Sequence, residues 1–129
     1  MSYPKDLIYT KEHEWARIEG AVATVGITRF AVDQLGDITL VEPPKIGMVV
    51  SQGKAFGTVE SVKTVSDLYA PMSGKVTDVN KALENAPEKV NEDPYGDGWM
   101  AKIAISSPNE AKGLLDAAAY EAFVSALDK

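Results

Sequence analysis

The sequence predicts a mainly β fold, a small barrel or sandwich of sheets with short peripheral helices and one C-terminal helix. Three observations carry this expectation. Short runs rich in Val, Ile, Thr, Phe, Tyr and Trp recur between turn-forming clusters, and these residues suit a half-buried pleated surface. Pro43-Pro44 cannot sit in a central ladder, so the strands on either side of it must be separate. Only near the end does the apolar spacing become helical, with Tyr120, Phe123, Val124 and Leu127 at i, i+3, i+4 and i+7.

Taken in order, residues 7–9 form a short opening strand. Residues 12–18 and 21–27 make a hairpin around the Glu19-Gly20 turn signal. Thr28 is the N-cap of a short helix over 29–35, which Gly36 closes as a residue free to take positive φ. Strand character resumes at 37–41, and 46–50 is extended again after the two prolines. A long hairpin then spans 54–76, with 76–79 continuing its second half. Asn80 caps a helical piece at 81–84, residues 85–98 are turn chemistry, and 99–105 alternates as the last strand. Ser107-Pro108-Asn109-Glu110 has capping-box spacing with Pro at the first helical position. Asp116 caps the terminal helix, 116–127.

Composition narrows the function. A chain of 129 residues with 45% hydrophobic and 25% charged residues is expected to form one soluble domain, 1–129. It has no apolar run of about 18 residues for a membrane span. The opening residues lack an apolar or Arg/Ser-rich leader, so the expected location is the cytoplasm, or the mitochondrial matrix for a mature form without its transit peptide. There is no cysteine, which removes disulfides, thiol nucleophiles and thiolate metal sites. A net charge of −6 disfavours nucleic acid and anionic membranes, suits docking on basic protein surfaces, and favours a monomer.

The usual equipment of an enzyme is missing. His13 is the single histidine, and it reads as a packed or hydrogen-bonded structural residue beside Trp15. No Gly-x-Ser-x-Gly elbow accompanies it, and with no cysteine a metal site is not expected. Asp93 and Asp97-Gly98 fail the spacing of a calcium loop. Gly96-Asp97-Gly98-Trp99-Met100-Ala101 has turns before it and a strand after it, the wrong context for a dinucleotide site. Gly53-Lys54 is not a phosphate-binding loop, because no Ser or Thr follows the lysine.

Lys63 stands apart. It lies at the centre of the 54–76 hairpin, with Gly53-Lys54 and Gly74-Lys75 placed almost symmetrically on either side. Its turn, Val62-Lys63-Thr64-Val65, contains no Gly, Pro, Asn or Asp, the residues that normally build a tight turn. The arms of the hairpin and the packing beneath must therefore hold it. A free lysine amine is protonated at neutral pH and is no nucleophile unaided. Lys63 is thus either a solvated charge or an attachment point acylated by another enzyme.

At Glu60-Ser61-Val62-Lys63 the sequence resembles the glycine cleavage H-protein family. The resemblance extends in order through His13-Glu14-Trp15, Val25-Gly26-Ile27-Thr28, Leu35-Gly36-Asp37, Ser66-Asp67, Tyr69-Ala70-Pro71, Ser73-Gly74, Val79-Asn80, Val90-Asn91, Pro94-Tyr95 and Gly98-Trp99. It implies a barrel-sandwich hybrid of the lipoyl- and biotinyl-carrier kind, and lipoate amide-linked to Lys63. It also implies a non-catalytic carrier that shuttles an aminomethyl group and reducing equivalents. The implied partners are glycine decarboxylase, an aminomethyltransferase and dihydrolipoyl dehydrogenase, with a lipoate ligase or lipoyl/octanoyl transferase loading the arm. Glu14 and Asp67 would hold the cargo ammonium in a cleft, and Glu60, Ser61 and Val62 would be read by the lipoylating enzyme. A relay role, passing lipoyl or octanoyl groups to other complexes, is the alternative the resemblance allows. Pro43, Arg29, Phe30 and Val32 depart from the common pattern and are placed as candidates to line the cleft.

Overall fold

Gly26 faces a tryptophan across the first hairpin, and that pairing anchors one side of the molecule. Strands β2 (Glu14–Glu19) and β3 (Val22–Ile27) pair antiparallel with Trp15 opposite Gly26. The Trp15 ring is fully buried and donates its indole N–H to the Pro94 carbonyl at 3.0 Å. A methyl group added at Gly26 would lie 2.7 Å from ring atom Cζ2 of Trp15, so only glycine leaves the ring its place. Gly26→Ala is expected to cost about 2–3 kcal/mol, read as a lower urea midpoint at unchanged slope.

The computed structural model describes residues 3–127; Met1, Ser2, Asp128 and Lys129, the ends of the expected 1–129 span, lie outside the described residues. Strand β1 (Ile8–Tyr9) precedes the hairpin, and helix α1 (Arg29–Leu35) follows it. Then come β4 (Ile38–Glu42), β5 (Val49–Val50), β6 (Ala55–Ser61), β7 (Val65–Tyr69) and β8 (Gly74–Val79). Two short helices, α2 (Ala82–Asn85) and α3 (Lys89–Glu92), lead to β9 (Ala101–Ile105). A 3₁₀ turn, Pro108–Gly113, and helix α4 (Ala117–Leu127) complete the described chain. The strands form one sheet ordered β1-β2-β3-β9-β8-β5 and a second ordered β4-β6-β7.

The fold is therefore mainly β, with two sheets, short helices and a C-terminal helix. Val25, Ile27, Val41, Val59, Leu68, Val76 and Ile103 from both sheets share one core. A second, aromatic cluster lies under α4, where Tyr9 and Tyr120 stack at 4.6 Å and Trp15 closes the side. Thr28 caps α1 by accepting the Ala31 N–H at 3.2 Å, and Gly36 ends it at φ +81° with its N–H on the Val32 carbonyl. Asp116 caps α4 through the Ala119 N–H at 2.8 Å. Each of these three ends has the local chemistry anticipated for it.

Six local expectations are corrected. Residues 76–79 do not continue the hairpin within its own sheet. The break at Ala70-Pro71-Met72 carries β8 into the larger sheet, where it pairs with β9 and β5. Of residues 46–50 only Val49–Val50 is strand, because Gly47 turns at φ +93°. The 85–98 stretch contains the one-turn helix α3, and the last strand starts at Ala101 rather than Trp99. Ser107 makes no capping bond; the Glu110 carboxylate is drawn away to Ser73, accepting its N–H and its hydroxyl, both at 2.7 Å. Leu127 is 51% exposed, since the last turn of α4 runs beyond the body.

Candidate functional site

The tip of the β6–β7 hairpin is built by a serine. Ser61 N–H donates to the Thr64 carbonyl at 2.8 Å, and Ser61 Oγ accepts the N–H groups of Thr64 at 3.2 Å and Lys63 at 3.4 Å. The serine hydroxyl thus replaces the turn residues that this tip lacks. Val62 N–H donates to the Asp37 carbonyl at 3.1 Å, tying the tip to the segment after α1. That segment is clamped in turn by Asn91, whose amide donates to the Gly36 carbonyl at 2.8 Å and accepts the Ile38 N–H at 2.9 Å. Neither clamp follows from the hairpin's own sequence.

On this mount Lys63 is exposed, as are its apolar neighbours Val62, at 73%, and Val65, at 58%. Its stem leans toward the end of α1: a methyl group added at Gly36 would sit 3.7 Å from Lys63 Cε. Glu60, three residues earlier on β6, is half-buried and pairs with Val65 and Leu40.

Just before Gly36 in the chain, α1 forms one wall of a cavity of about 120 Å³. Ile27, Ala31, Leu35, Val59 and Leu68 give it an apolar lining, and His13, Glu14, Ser66 and Asp67 bring polar groups. Two of the expected site residues, Glu14 and Asp67, therefore border one space. Glu14 is only 3% exposed. Its carboxyl oxygens accept the Thr10 hydroxyl at 2.6 Å and the Tyr69 N–H at 3.3 Å. Burial pushes its carboxyl up to about 8, against the Thr10 and Tyr69 hydrogen bonds that favour the anion. Asp67 is exposed on β7.

His13, φ +72°, borders the same cavity with its Nδ1 2.8 Å from the Tyr120 hydroxyl, which lies 2.7 Å from Thr28 Oγ1. Burial lowers its pKa, so the ring stays neutral near neutral pH. Thr10, Gln34, Ala31 and Leu35 had no marker in the sequence as site residues. The positions that depart from the family pattern lie elsewhere: Arg29 donates to the Asn91 carbonyl at 2.7 Å and Val32 is core. Phe30 lies tilted against His13, ring centroids 4.6 Å apart, outside the cavity, and Pro43 lines a separate groove.

A carboxyl that is easier to protonate when folded than when unfolded makes stability fall as pH rises between its two pKa values. For Glu14 that window runs from its ordinary 4.5 to about 8. Thermal unfolding at pH 5 and pH 8 is expected to show a loss of stability in the wild type that Glu14→Gln reduces.

Two small sheets around a shared core, with a hairpin whose tip bears an exposed lysine, place this fold in the barrel-sandwich class of lipoyl- and biotinyl-carrier-like proteins. Residues 7–127 match the family model described as glycine cleavage H-protein. The chain belongs to the glycine cleavage H-protein family. It is 60% identical to the glycine cleavage system H protein of Symbiobacterium thermophilum over 93% of this chain and 94% of that one. It is 56% identical to the namesake protein of Anaeromyxobacter sp. over 96% of this chain and 97% of that one. A crystal structure of a glycine cleavage system H protein from Mycobacterium marinum superposes with a TM-score of 0.84 at 43% identity, over 92% of this chain and 95% of that one.

Proposed function

We infer that the chain is the lipoyl-bearing carrier of the glycine cleavage system, with lipoate amide-linked to Lys63. One observation carries the reading: an exposed lysine on a hairpin tip leans toward the end of α1, the helix that walls a cavity with apolar sides and a buried carboxyl. These residues fit the group. The apolar walls suit a hydrocarbon arm once acylation has removed the lysine charge, and Glu14 suits a cationic cargo at its end.

The lipoyl group supplies the sulfur and redox chemistry that a cysteine-free chain lacks. The chain's own residues mount, orient and shelter. Ser61 and the Asp37 carbonyl fix the tip, so the arm pivots from a defined point. Ile27, Leu35, Val59 and Leu68 would exclude water from an arm seated in the cavity. Glu14 would release its proton to solvent as a cargo ammonium entered, and Thr10 would hold the resulting carboxylate in place. Asp67 adds a second, solvent-screened carboxylate at the rim.

Glu60, Ser61 and Val62 present the lysine to a lipoate ligase or lipoyl/octanoyl transferase. Glycine decarboxylase, the aminomethyltransferase and dihydrolipoyl dehydrogenase are the partners on this reading, and the protein is a carrier rather than a catalyst. The matched relatives are bacterial, which favours the cytoplasmic expectation. A buried carboxyl facing the cavity favours aminomethyl transport over a lipoate relay, which has no cation to hold. Reconstitution tests this: lipoylated protein with the three enzymes is expected to support glycine-dependent aminomethyl transfer. Failure with all three, together with efficient lipoyl transfer to a second acceptor protein, would establish the relay instead.

A further inference from the structure

Helix α1 walls the arm cavity with one side and faces a second hollow with another. Between α1 and α4 lies a cavity of about 270 Å³ bordered by Phe30, Asp33, Glu121, Val124 and Tyr3. It continues along α4 into a hollow of about 290 Å³, sharing Tyr3 and Glu121 with it and ending at Asp116 and Lys5. Tyr3 and Val124 are buried and floor this groove, while Asp33 and Glu121 are exposed on its rim. Neither rim carboxylate is in an ion pair among the described residues. Lys5 borders only the far hollow, with Asp116 and Glu121, while the hollow between α1 and α4 has Asp33 and Glu121 on its border and no cationic side chain. The groove also touches the arm cavity: Gln34 borders both, and the Phe30 ring in the groove lies tilted against that of His13 in the cavity, centroids 4.6 Å apart.

We propose that the α1–α4 groove is the docking site for an arginine or lysine side chain presented by a protein partner that acts on the arm. An apolar floor beneath two unpaired carboxylates matches the two halves of such a side chain, a methylene stem and a cationic head. A partner seated there adjoins the wall of the arm cavity, and Lys63 does not border the groove. Charge complementarity at this point steers encounter and fixes orientation beyond the diffuse attraction of an acidic protein. The proposal rests on the carrier role inferred above.

The test compares lipoylated wild type with Asp33→Lys/Glu121→Lys, with the neutral pair Asp33→Asn/Glu121→Gln, and with Glu84→Lys/Glu88→Lys. The last pair reverses two exposed charges away from the groove. KM and kcat for the carrier are measured with the decarboxylase, the aminomethyltransferase and the dehydrogenase. The groove reversal is expected to raise KM about fivefold or more with at least one enzyme at unchanged kcat, the neutral pair less, and the control by under about twofold. KM values within about twofold of wild type for all three enzymes would overturn the proposal, as would an equal effect of the control pair. Wild type that cannot be lipoylated or turned over would instead refute the carrier role and the docking site with it.

Discussion

Lys63→Arg is expected to reduce glycine-dependent turnover to background while leaving the fold as stable as wild type. The side chain is exposed, and the tip is held by Ser61 hydroxyl bonds and the Val62 N–H rather than by the lysine's own amine. Arginine keeps the positive charge and most of the length, so solubility and any electrostatic attraction of partners persist. What is lost is an amine that an acylating enzyme can use, since the guanidinium stays protonated. Loss of turnover with unchanged unfolding would separate attachment from structure. A Lys63→Arg protein that still turned over at near wild-type rate would remove the tether from this position.

The second large effect falls on Glu14. Glu14→Ala is expected to shorten the lifetime of the aminomethyl-loaded arm about tenfold or more, because a charge-assisted hydrogen bond to a buried carboxylate is worth about 1.5–3 kcal/mol. Lipoylation should be unchanged, since Glu14 is buried in the cavity wall and Lys63 is not. Asp67→Ala, acting on an exposed carboxylate, should shorten the lifetime less.

The pH dependence has a definite sign. With the cavity free of cargo Glu14 holds its proton up to about 8, and a cation entering the cavity must displace it. Neighbouring His13 stays neutral, and Glu12 raises the Glu14 pKa further. Seating of the loaded arm should therefore strengthen as pH rises toward that value and level off above it. Protection relative to Glu14→Ala, measured by decay of the loaded form across this range, checks both the magnitude and the slope. A flat ratio would remove Glu14 from the cargo site.

The elements whose ends are encoded by short-range chemistry were legible in the sequence. Thr28, Gly36 and Asp116 bound their helices because each bond they make reaches only a few residues. The β8 strand was legible but its sheet was not, because nothing in 74–79 records that its partners are β9 and β5. Glu110 misled for a related reason: Ser73, distant in sequence, competes for the carboxylate that capping-box spacing assigns to Ser107.

At the site, Lys63 stood out because its tip lacks turn residues, and the Ser61 hydroxyl that compensates carries its own signal three residues before Thr64. Ile27, Ala31 and Leu35 are invisible as cavity residues, since an apolar wall and an apolar core share one periodicity. The roles proposed for Glu14 and Asp67 rest, at the level of sequence, on family resemblance alone. Glu14 carries a signal of its own, as a charge opening the buried run Glu14-Trp15-Ala16, where an unsupported carboxylate is costly.

The central claim is that one lysine among several is the tether, and mapping of lipoylated protein tests it most directly. Lys54 and Lys75 follow glycines on either side of the hairpin and are exposed too, so accessibility alone does not select Lys63. After treatment with lipoate, ATP and a lipoate ligase, intact mass and peptide mapping should show a single lipoyl increment confined to the peptide carrying Lys63. An increment on Lys54 or Lys75, or an unmodified chain under conditions that load another family member, would contradict the account.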